Sequence, residues 1–358
     1  MSFLDERAKS GKPLQVALLG YGFASKTFHA PLLVRVPGLR LTHIVSSDRA
    51  KVRKDYDVQV LAKPEEAFAL PEIDLIVIAT PNATHLELAR KALSAGKHVV
   101  VDKPFTNTVA DGVELIRLAR ARGRVLSVFQ SRRWDADFRT LRKLLAAETL
   151  GKISVFESHY DRYRPETRQR WREQPGPGSG IWFDLGSHLA DQALQLFGAP
   201  EGVYADLEMQ RAGSQAVDYF HVILRYGSMR VILHGSSLVI AEPPRFTVHG
   251  LLGSYTKFGI DSQEEALKRG EIPGSAGWGI DPQMGTLVAK KADGFETSQV
   301  TNLPGNYLGF YEGMRGAIAL GAANPVPAED GLAAINVLET GVKSAAARAE
   351  MAYRPVEL

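Results

Sequence analysis

A lysine, an aspartate and a histidine are the residues of this chain best suited to moving a proton on a carbinol. Lys103 stands in Asp102-Lys103-Pro104, directly after the apolar run HVVV, and Asp184 and His188 lie four apart in DLGSH. At helical spacing the last two share a face. A neutral imidazole, with an ordinary pKa of about 6.5, accepts a proton near neutrality. A lysine cation steadies an alkoxide-like transition state. Pro104 cannot continue a strand ladder, so it turns the chain and leaves Lys103 at a strand's carboxyl end. Open α/β sheets bind their ligands at that edge. Taken singly, each residue is ordinary: a lone lysine is mostly surface charge, and an Asp/His pair at this spacing is mostly a helix-surface pair. Together they need a hydride acceptor, which a nicotinamide supplies.

The place for one is upstream. Gly20-Tyr21-Gly22-Phe23-Ala24-Ser25 follows the strand pattern LQVALL and opens a helical one. Gly20 permits the tight turn, and Gly22 lets the backbone approach a pyrophosphate seated on the helix N-terminus. Ser25 stands where a third glycine is usual, which predicts looser helix–strand packing there. Sites that bind NAD usually have an acid at the end of the second strand, for the ribose 2′-hydroxyl. Here Ser46 and Ser47 fill that place, with Asp48 and Arg49 following. Two hydroxyls and an arginine suit a 2′-phosphate, while Asp48 would repel one unless turned away. The balance tips to NADP over NAD.

The elements that position these residues alternate. Strand patterns cover 14–20, 39–47, 73–80, 97–104 and 124–130; helical ones cover 25–36, 65–70, 85–96 and 108–122, with Pro31 a kink or first-turn residue. This alternation predicts a doubly wound parallel sheet, a Rossmann domain over 13–132 after an N-terminal tail at 1–12. From Gly151 the grammar changes. Strand patterns at 153–163, 203–211, 219–227 and 228–239 follow one another with little helix between them. They predict a C-terminal α+β domain over 133–358, built on a mostly antiparallel sheet. QPGPGSG at 174–180 is a flexible loop, and 306–348 returns to helical spacing.

Composition narrows the class. The 358 residues are 45% hydrophobic and 23% charged, with a net charge of +3 and no cysteine. Disulfides, cysteine-held zinc and thiol nucleophiles are therefore excluded. The histidines at 85, 159, 188, 221 and 234 show no ligand spacing, so no metal is expected. Basic residues are interspersed with acids, which excludes a nucleic-acid stripe. No apolar run reaches the roughly 18 residues of a membrane span. The polar start MSFLDERAKSGKP has neither an apolar signal core nor a small-residue cleavage site, which makes the cytoplasm the expected location.

At GYGFAS (20–25), TPNATH (80–85), GKHVVVDKP (96–104) and SRRWD (131–135) the sequence resembles the Gfo/Idh/MocA oxidoreductases. These are named for glucose–fructose oxidoreductase, inositol dehydrogenase and a rhizopine-catabolism protein. RYRPETRQRWRE (162–173) and DLGSHLADQALQLFG (184–198) look like the scyllo-inositol dehydrogenase branch. The likeness covers nearly the whole chain, with Asp102 replacing the glutamate of the usual E-K-P. It implies that Lys103 bonds the reacting hydroxyl, that His188 exchanges its proton, and that Asp184 orients the substrate. It implies that Thr80, Pro81, Asn82 and His85 pass along the cofactor, beside Asp102, and that Arg132 and Arg133 contact substrate and nicotinamide. Tyr163 and Trp171 are expected in the pocket wall. The implied substrate is a polyol or sugar, scyllo-inositol or inosose first, and the implied assembly is a homo-oligomer. An aldose or deoxysugar dehydrogenase, or a cofactor-sensing regulator without turnover, are the rival readings.

Overall fold

A computed structural model describes residues 12–168 and 170–358, so all but Lys12 of the expected tail lies outside the described residues. The first sheet holds β1 (Leu14–Leu19), β2 (Leu39–Val45), β3 (Gln59–Leu61), β4 (Leu75–Ile78), β5 (His98–Asp102) and β6 (Leu126–Phe129). All pairs are parallel, in the order β3-β2-β1-β4-β5-β6. β4 is buried along its length, as a strand covered by helices on both faces must be. The strand order reverses beside β1, and there the carboxyl edge opens a crevice. β3 carries no sequence signal: three residues, one of them the exposed Gln59, are too few to show a period.

Helices α1 to α5 cover this sheet. α2 (Arg49–Asp55), α3 (Pro64–Ala69), α4 (His85–Ser94) and α5 (Val109–Ala121) are regular. α1, expected as one helix over 25–36, is a π turn, Ser25–His29, continuing into Ala30–Leu33. Pro31 lacks an N–H, and it falls in the first turn after that wider turn, where it interrupts little of the hydrogen-bond ladder.

α6 (Ala136–Ala146) leads into the second sheet, whose nine strands run β14-β13-β12-β11-β7-β10-β9-β8-β15. Its members are β7 (Ile153–His159), β8 (Gly202–Glu208), β9 (Tyr219–Tyr226), β10 (Met229–Ser236), β11 (Phe246–Gly250), β12 (Gly253–Lys257), β13 (Gly285–Lys291), β14 (Gly294–Val300) and β15 (Met351–Ala352). Every pair but β7 with β10 is antiparallel. Along β9 and β10 buried residues alternate with half-exposed ones, the mark of a sheet covered on one face. α7 (Ser187–Phe197) and α10 (Ala328–Ala347) cover that face; α8 (Gln263–Lys268) and α9 (Leu308–Leu320) complete the domain. The helical pattern at 306–348 thus resolves into α9 and α10, separated at Gly321 by a left-handed residue.

α10 touches β8 and α7 in the second domain and α5 and β6 in the first. The Val109 N–H also donates to the Glu339 carboxylate at 2.6 Å across the same boundary. One apolar core therefore runs through both domains and holds the two sheets in fixed relation. No helix among the described residues is long and apolar enough to cross a membrane.

Candidate active site

The crevice begins at Gly20, whose φ of +86° lies in the left-handed region. A side chain there would meet Thr80 and the Ala79 carbonyl oxygen, so the turn after β1 must pack flat on the end of β4. Gly22, in contrast, faces open space within 4 Å, the room a ligand backbone contact requires. The first intrahelical bond is from Lys26 N–H to the Gly22 carbonyl at 3.0 Å. The N–H groups of Phe23, Ala24 and Ser25 precede it and remain for an anion. These features fit a dinucleotide pyrophosphate. Ser25 does not loosen the packing as its type suggested: it is fully buried, and its hydroxyl donates to Ala79 O at 3.4 Å. The π turn supplies the room.

Tyr21 is tied down, its hydroxyl donating to Asp55 at 2.8 Å, while Phe23 is exposed at the mouth. At the end of β2 the Ser46 hydroxyl accepts the Asp48 N–H at 3.1 Å; Ser47 is exposed. Asp48 itself caps α2, its carboxylate accepting the Lys51 N–H at 2.9 Å. The charge that would oppose a 2′-phosphate is thus directed at a helix N-terminus.

After β4, Thr80 and Pro81 stand at the edge while Asn82 and His85 are buried. The Asn82 amide donates to Gly178 O at 2.9 Å, pinning the loop over 174–180 onto the first domain. His85 reaches Pro104 O at 2.9 Å and Thr80 O at 3.1 Å. Burial lowers its pKa, and the neutral ring, with a single N–H, donates to one of these two carbonyls. Asp102 accepts the Lys103 N–H at 2.8 Å and is buried with His29 3.8 Å away.

Lys103 and Asp184 meet as their types suggested. The ammonium lies 2.9 Å from Asp184 Oδ1 and donates to the Asp184 carbonyl at 2.7 Å. Burial opposes ionisation of Asp184, but Lys103, then Arg172 and Arg162, outweigh it and hold the carboxyl below the usual range. Asp184 sits in a π turn, Trp182–Gly186, that precedes α7, rather than on a regular helix with His188. Its carboxylate bonds Lys103, with Arg172 Nε at 3.3 Å. His188 is buried at the start of α7 with Nδ1 lacking a hydrogen-bond partner. Burial, then Lys103 and Arg132, push its pKa well below 6.5, against the pull of Asp184. The result is an imidazole held neutral in the field of a fixed ammonium.

Other predicted site residues are occupied elsewhere. Arg132 is buried, donating to the Tyr307 hydroxyl at 2.9 Å and to Glu264, and it reaches His188 through its field. Arg133 forks onto Asp191 at 2.8 and 2.5 Å and bonds Asp330 at 2.8 Å. Tyr163 is exposed, and Trp171 carries the Arg172 guanidinium 4.3 Å over its ring. Neither aromatic lines the cavity beside Asp184. That cavity, of about 40 Å³, is walled instead by Arg162, Arg164, Arg170, Arg172 and Arg211 with Glu173 and Asp184. The repeated arginines of RYRPETRQRWRE were the signal for it in the sequence.

The histidines without ligand spacing do meet in part. His159 Nδ1 lies 3.0 Å from Asp161 and His234 Nε2 3.4 Å from it, on the half-exposed face of the second sheet. One donor atom from each lies within 4.8 Å of the others, a grouping that could hold a cation. Lateral neighbours in a sheet have no fixed sequence spacing, so linear reading misses them.

Two family descriptions match the chain: an oxidoreductase family's NAD-binding Rossmann fold over residues 14–130, and its C-terminal alpha/beta domain over 142–356. The uncharacterized oxidoreductase YdgJ of Escherichia coli is 51% identical, covering 94% of this chain and 98% of its own. The scyllo-inositol 2-dehydrogenase (NADP(+)) IolW of Bacillus subtilis is 40% identical over 92% of this chain and 93% of its own. A solved oxidoreductase from Yersinia pestis superposes with a TM-score of 0.92 at 50% identity, covering 98% of this chain and 99% of that one.

Proposed function

The chain belongs to the Gfo/Idh/MocA family of oxidoreductases and binds a nicotinamide cofactor in its Rossmann domain, and from that premise we propose that it oxidises a CH–OH group of a polyol or sugar. Scyllo-inositol and its inosose are the first pair to try, on the likeness to relatives bearing that name. The observation that carries the reading is the Lys103–Asp184 contact of 2.9 Å at the carboxyl edge of β5, with His188 beside it.

The nicotinamide, when bound, accepts or returns the hydride. The protein's own groups do the rest. Lys103 Nζ, held by the main-chain carbonyl and Oδ1 of Asp184, donates to the substrate oxygen and favours its developing negative charge. His188, kept neutral, takes the hydroxyl proton in oxidation and returns it in reduction. Asn82 and the 174–180 loop close the first domain against the second and limit water. NADP is the proposed cofactor in preference to NAD, because Asp48 is committed to capping α2 while Ser46, Ser47 and Arg49 remain near the ribose end. We further propose a homo-oligomer acting on a small molecule in the cytoplasm, with neither nucleic acid nor membrane as partner.

The test is the purified chain against a panel of polyols and aldoses, with NAD and NADP side by side, followed by nicotinamide absorbance. Turnover of a polyol, lost in Lys103→Met, supports the reading. Tight cofactor binding with no turnover of any member would make the chain a sensor instead.

A further inference from the structure

Five arginines face the cavity beside Asp184, and only part of their charge is answered. Arg211 is paired with Asp218 at 2.9 Å and with Glu173 at 3.3 Å. Arg170 shares Glu173 at 3.4 Å, and Arg172 shares Asp184 with Lys103. Arg162 and Arg164 pair with no carboxylate among the described residues, and Arg162 Nε is a buried N–H without a hydrogen-bond partner. Their backbones are fixed against the end of β10, Arg162 N–H on Ser236 O at 3.0 Å and Arg164 N–H on Ser237 O at 2.7 Å. The backbone that carries the two guanidiniums is therefore held in place. Burial first, then Arg164 beside Arg162 and Arg170 and Arg168 beside Arg164, lower the pKa of both against the pull of Asp184.

An unmade bond from a buried donor costs about 1–3 kcal/mol, and more when the donor is charged. A fold that keeps Arg162 Nε as such a donor, in a cavity lined by four further guanidiniums, leaves it for something that enters. Guanidinium forks match the paired oxygens of carboxylates and phosphates. The hydroxyls of an uncharged cyclitol offer acceptors but no charge. Position points the same way. Asp184 Oδ1 touches Lys103 on one side and Arg172 on the other, at 2.9 and 3.3 Å. Asp184 thus lines the cavity and also holds Lys103, so the cavity adjoins the lysine that would face the reacting oxygen.

We propose that this cavity is a subsite for an oxyanion carried by the substrate, making the preferred substrate a sugar acid or sugar phosphate. The proposal rests on the dehydrogenase reading and narrows it. The anion neutralises Arg162 and Arg164 and fixes which hydroxyl faces Lys103 and His188.

Two measurements test it. In the first, the enzyme is saturated with cofactor, so that the Rossmann phosphate site is filled, and inorganic phosphate is titrated while the melting temperature and Kd are read. Phosphate should raise the melting temperature of the wild type. Arg162→Gln and Arg164→Gln should bind it about ten- to a hundredfold more weakly, the loss of a charged hydrogen bond. Their unliganded melting temperatures should stay close to that of the wild type, since neither guanidinium makes an ion pair with a carboxylate among the described residues, and this separates lost binding from lost folding. In the second, glucose, gluconate and glucose 6-phosphate are compared as substrates. At least one charged compound should exceed glucose in kcat/KM by about tenfold or more, and the advantage should vanish in Arg164→Gln; which one wins identifies the oxyanion. Equal phosphate affinity in wild type and variants, or glucose used as well as its charged counterparts, would overturn the subsite. Phosphate held by the arginines with no compound oxidised would keep the subsite and overturn the dehydrogenase reading.

Discussion

Lys103 and Asp184, 81 residues apart in sequence, are joined by two bonds from one ammonium: 2.9 Å to the carboxylate and 2.7 Å to the carbonyl oxygen. One end hangs from β5 of the first domain, the other from the π turn ahead of α7 in the second. The lysine's position is therefore set by the docking of the two domains. Two of its donors are fixed, and the third is left for substrate. Lys103→Met should lower kcat/KM by about 10²–10³, the cost of one transition-state donor. Cofactor affinity, read by fluorescence titration, should stay within a few-fold of wild type. A variant with near-normal turnover would remove Lys103 from the chemistry.

Asp184→Asn tests the other half of the pair. The amide keeps an acceptor but not the charge that answers Lys103 and Arg172, so kcat should fall and KM rise together. The carboxyl titrates below its ordinary value in the folded chain, so the folded state holds fewer protons there than the unfolded one in acid. Its stabilisation is present above the unfolded pKa of about 3.9 and is lost as pH falls below it. In acid the melting temperature of the wild type should therefore drop more steeply than that of Asp184→Asn. Parallel curves would mean that the pair adds nothing to stability.

His188 gives a pH signature. Oxidation requires the neutral ring, and burial with Lys103 and Arg132 lowers its pKa, so protonation sets in only well below 6.5. The kcat/KM for oxidation should be level through neutrality and fall at a pH clearly under the ordinary imidazole value. His188→Ala should lose about 10²–10⁴ in rate and the acid limb with it. An acid limb unchanged in that variant would assign the proton to another group.

The Rossmann sheet was legible because it obeys local rules. Buried parallel strands read as apolar runs, and Pro104 marks the end of β5, whereas the helical spacing of DLGSH did not foretell the π turn that holds Asp184. What escaped the sequence is lateral. β3 is too short to show a period. The internal bonds of Arg132 and Arg133 were not legible either, because they go to Glu264, Tyr307, Asp191 and Asp330, partners 58 to 197 residues away. Asp161 and His234 meet only because β7 and β10 are neighbours, and the only parallel pair in that sheet. The arginine wall was visible as residues but not as a cavity, since its fifth member, Arg211, comes from beyond β8.

The loop over 174–180 was expected to be flexible, yet it is latched. Gly178 has φ +74°, and a methyl group there would lie 2.3 Å from both Asn107 Oδ1 and Asn82 Nδ2. Gly178→Ala therefore pays twice, for conformation and for the lost latch. Gly213 has a similar φ of +72° and open space around it, so Gly213→Ala reports the conformational cost alone, about 1 kcal/mol. Gly178→Ala should melt lower than Gly213→Ala and lose kcat/KM, which Gly213→Ala keeps. Equal behaviour of the two would show that the latch has no part in the active site.

Cofactor choice turns on where the charge of Asp48 points. In sequence it competes with Ser46, Ser47 and Arg49; in the structure its carboxylate accepts the Lys51 N–H at 2.9 Å and faces the α2 N-terminus. A carboxylate there is favoured by the helix dipole, so turning it to a ribose would forfeit the cap, worth about 0.5–2 kcal/mol. The wild type should use NADP at least as well as NAD. Ser47→Asp adds an acceptor for the ribose hydroxyl and a charge that opposes the 2′-phosphate, and should shift the preference toward NAD. Arg49→Gln should weaken NADP while leaving NAD within a few-fold. The measurement is the ratio of kcat/KM for the two cofactors in all three proteins. A wild-type ratio favouring NAD by about tenfold or more would mean that Asp48 leaves its cap to read the ribose, and Asp48→Asn should then reverse that preference.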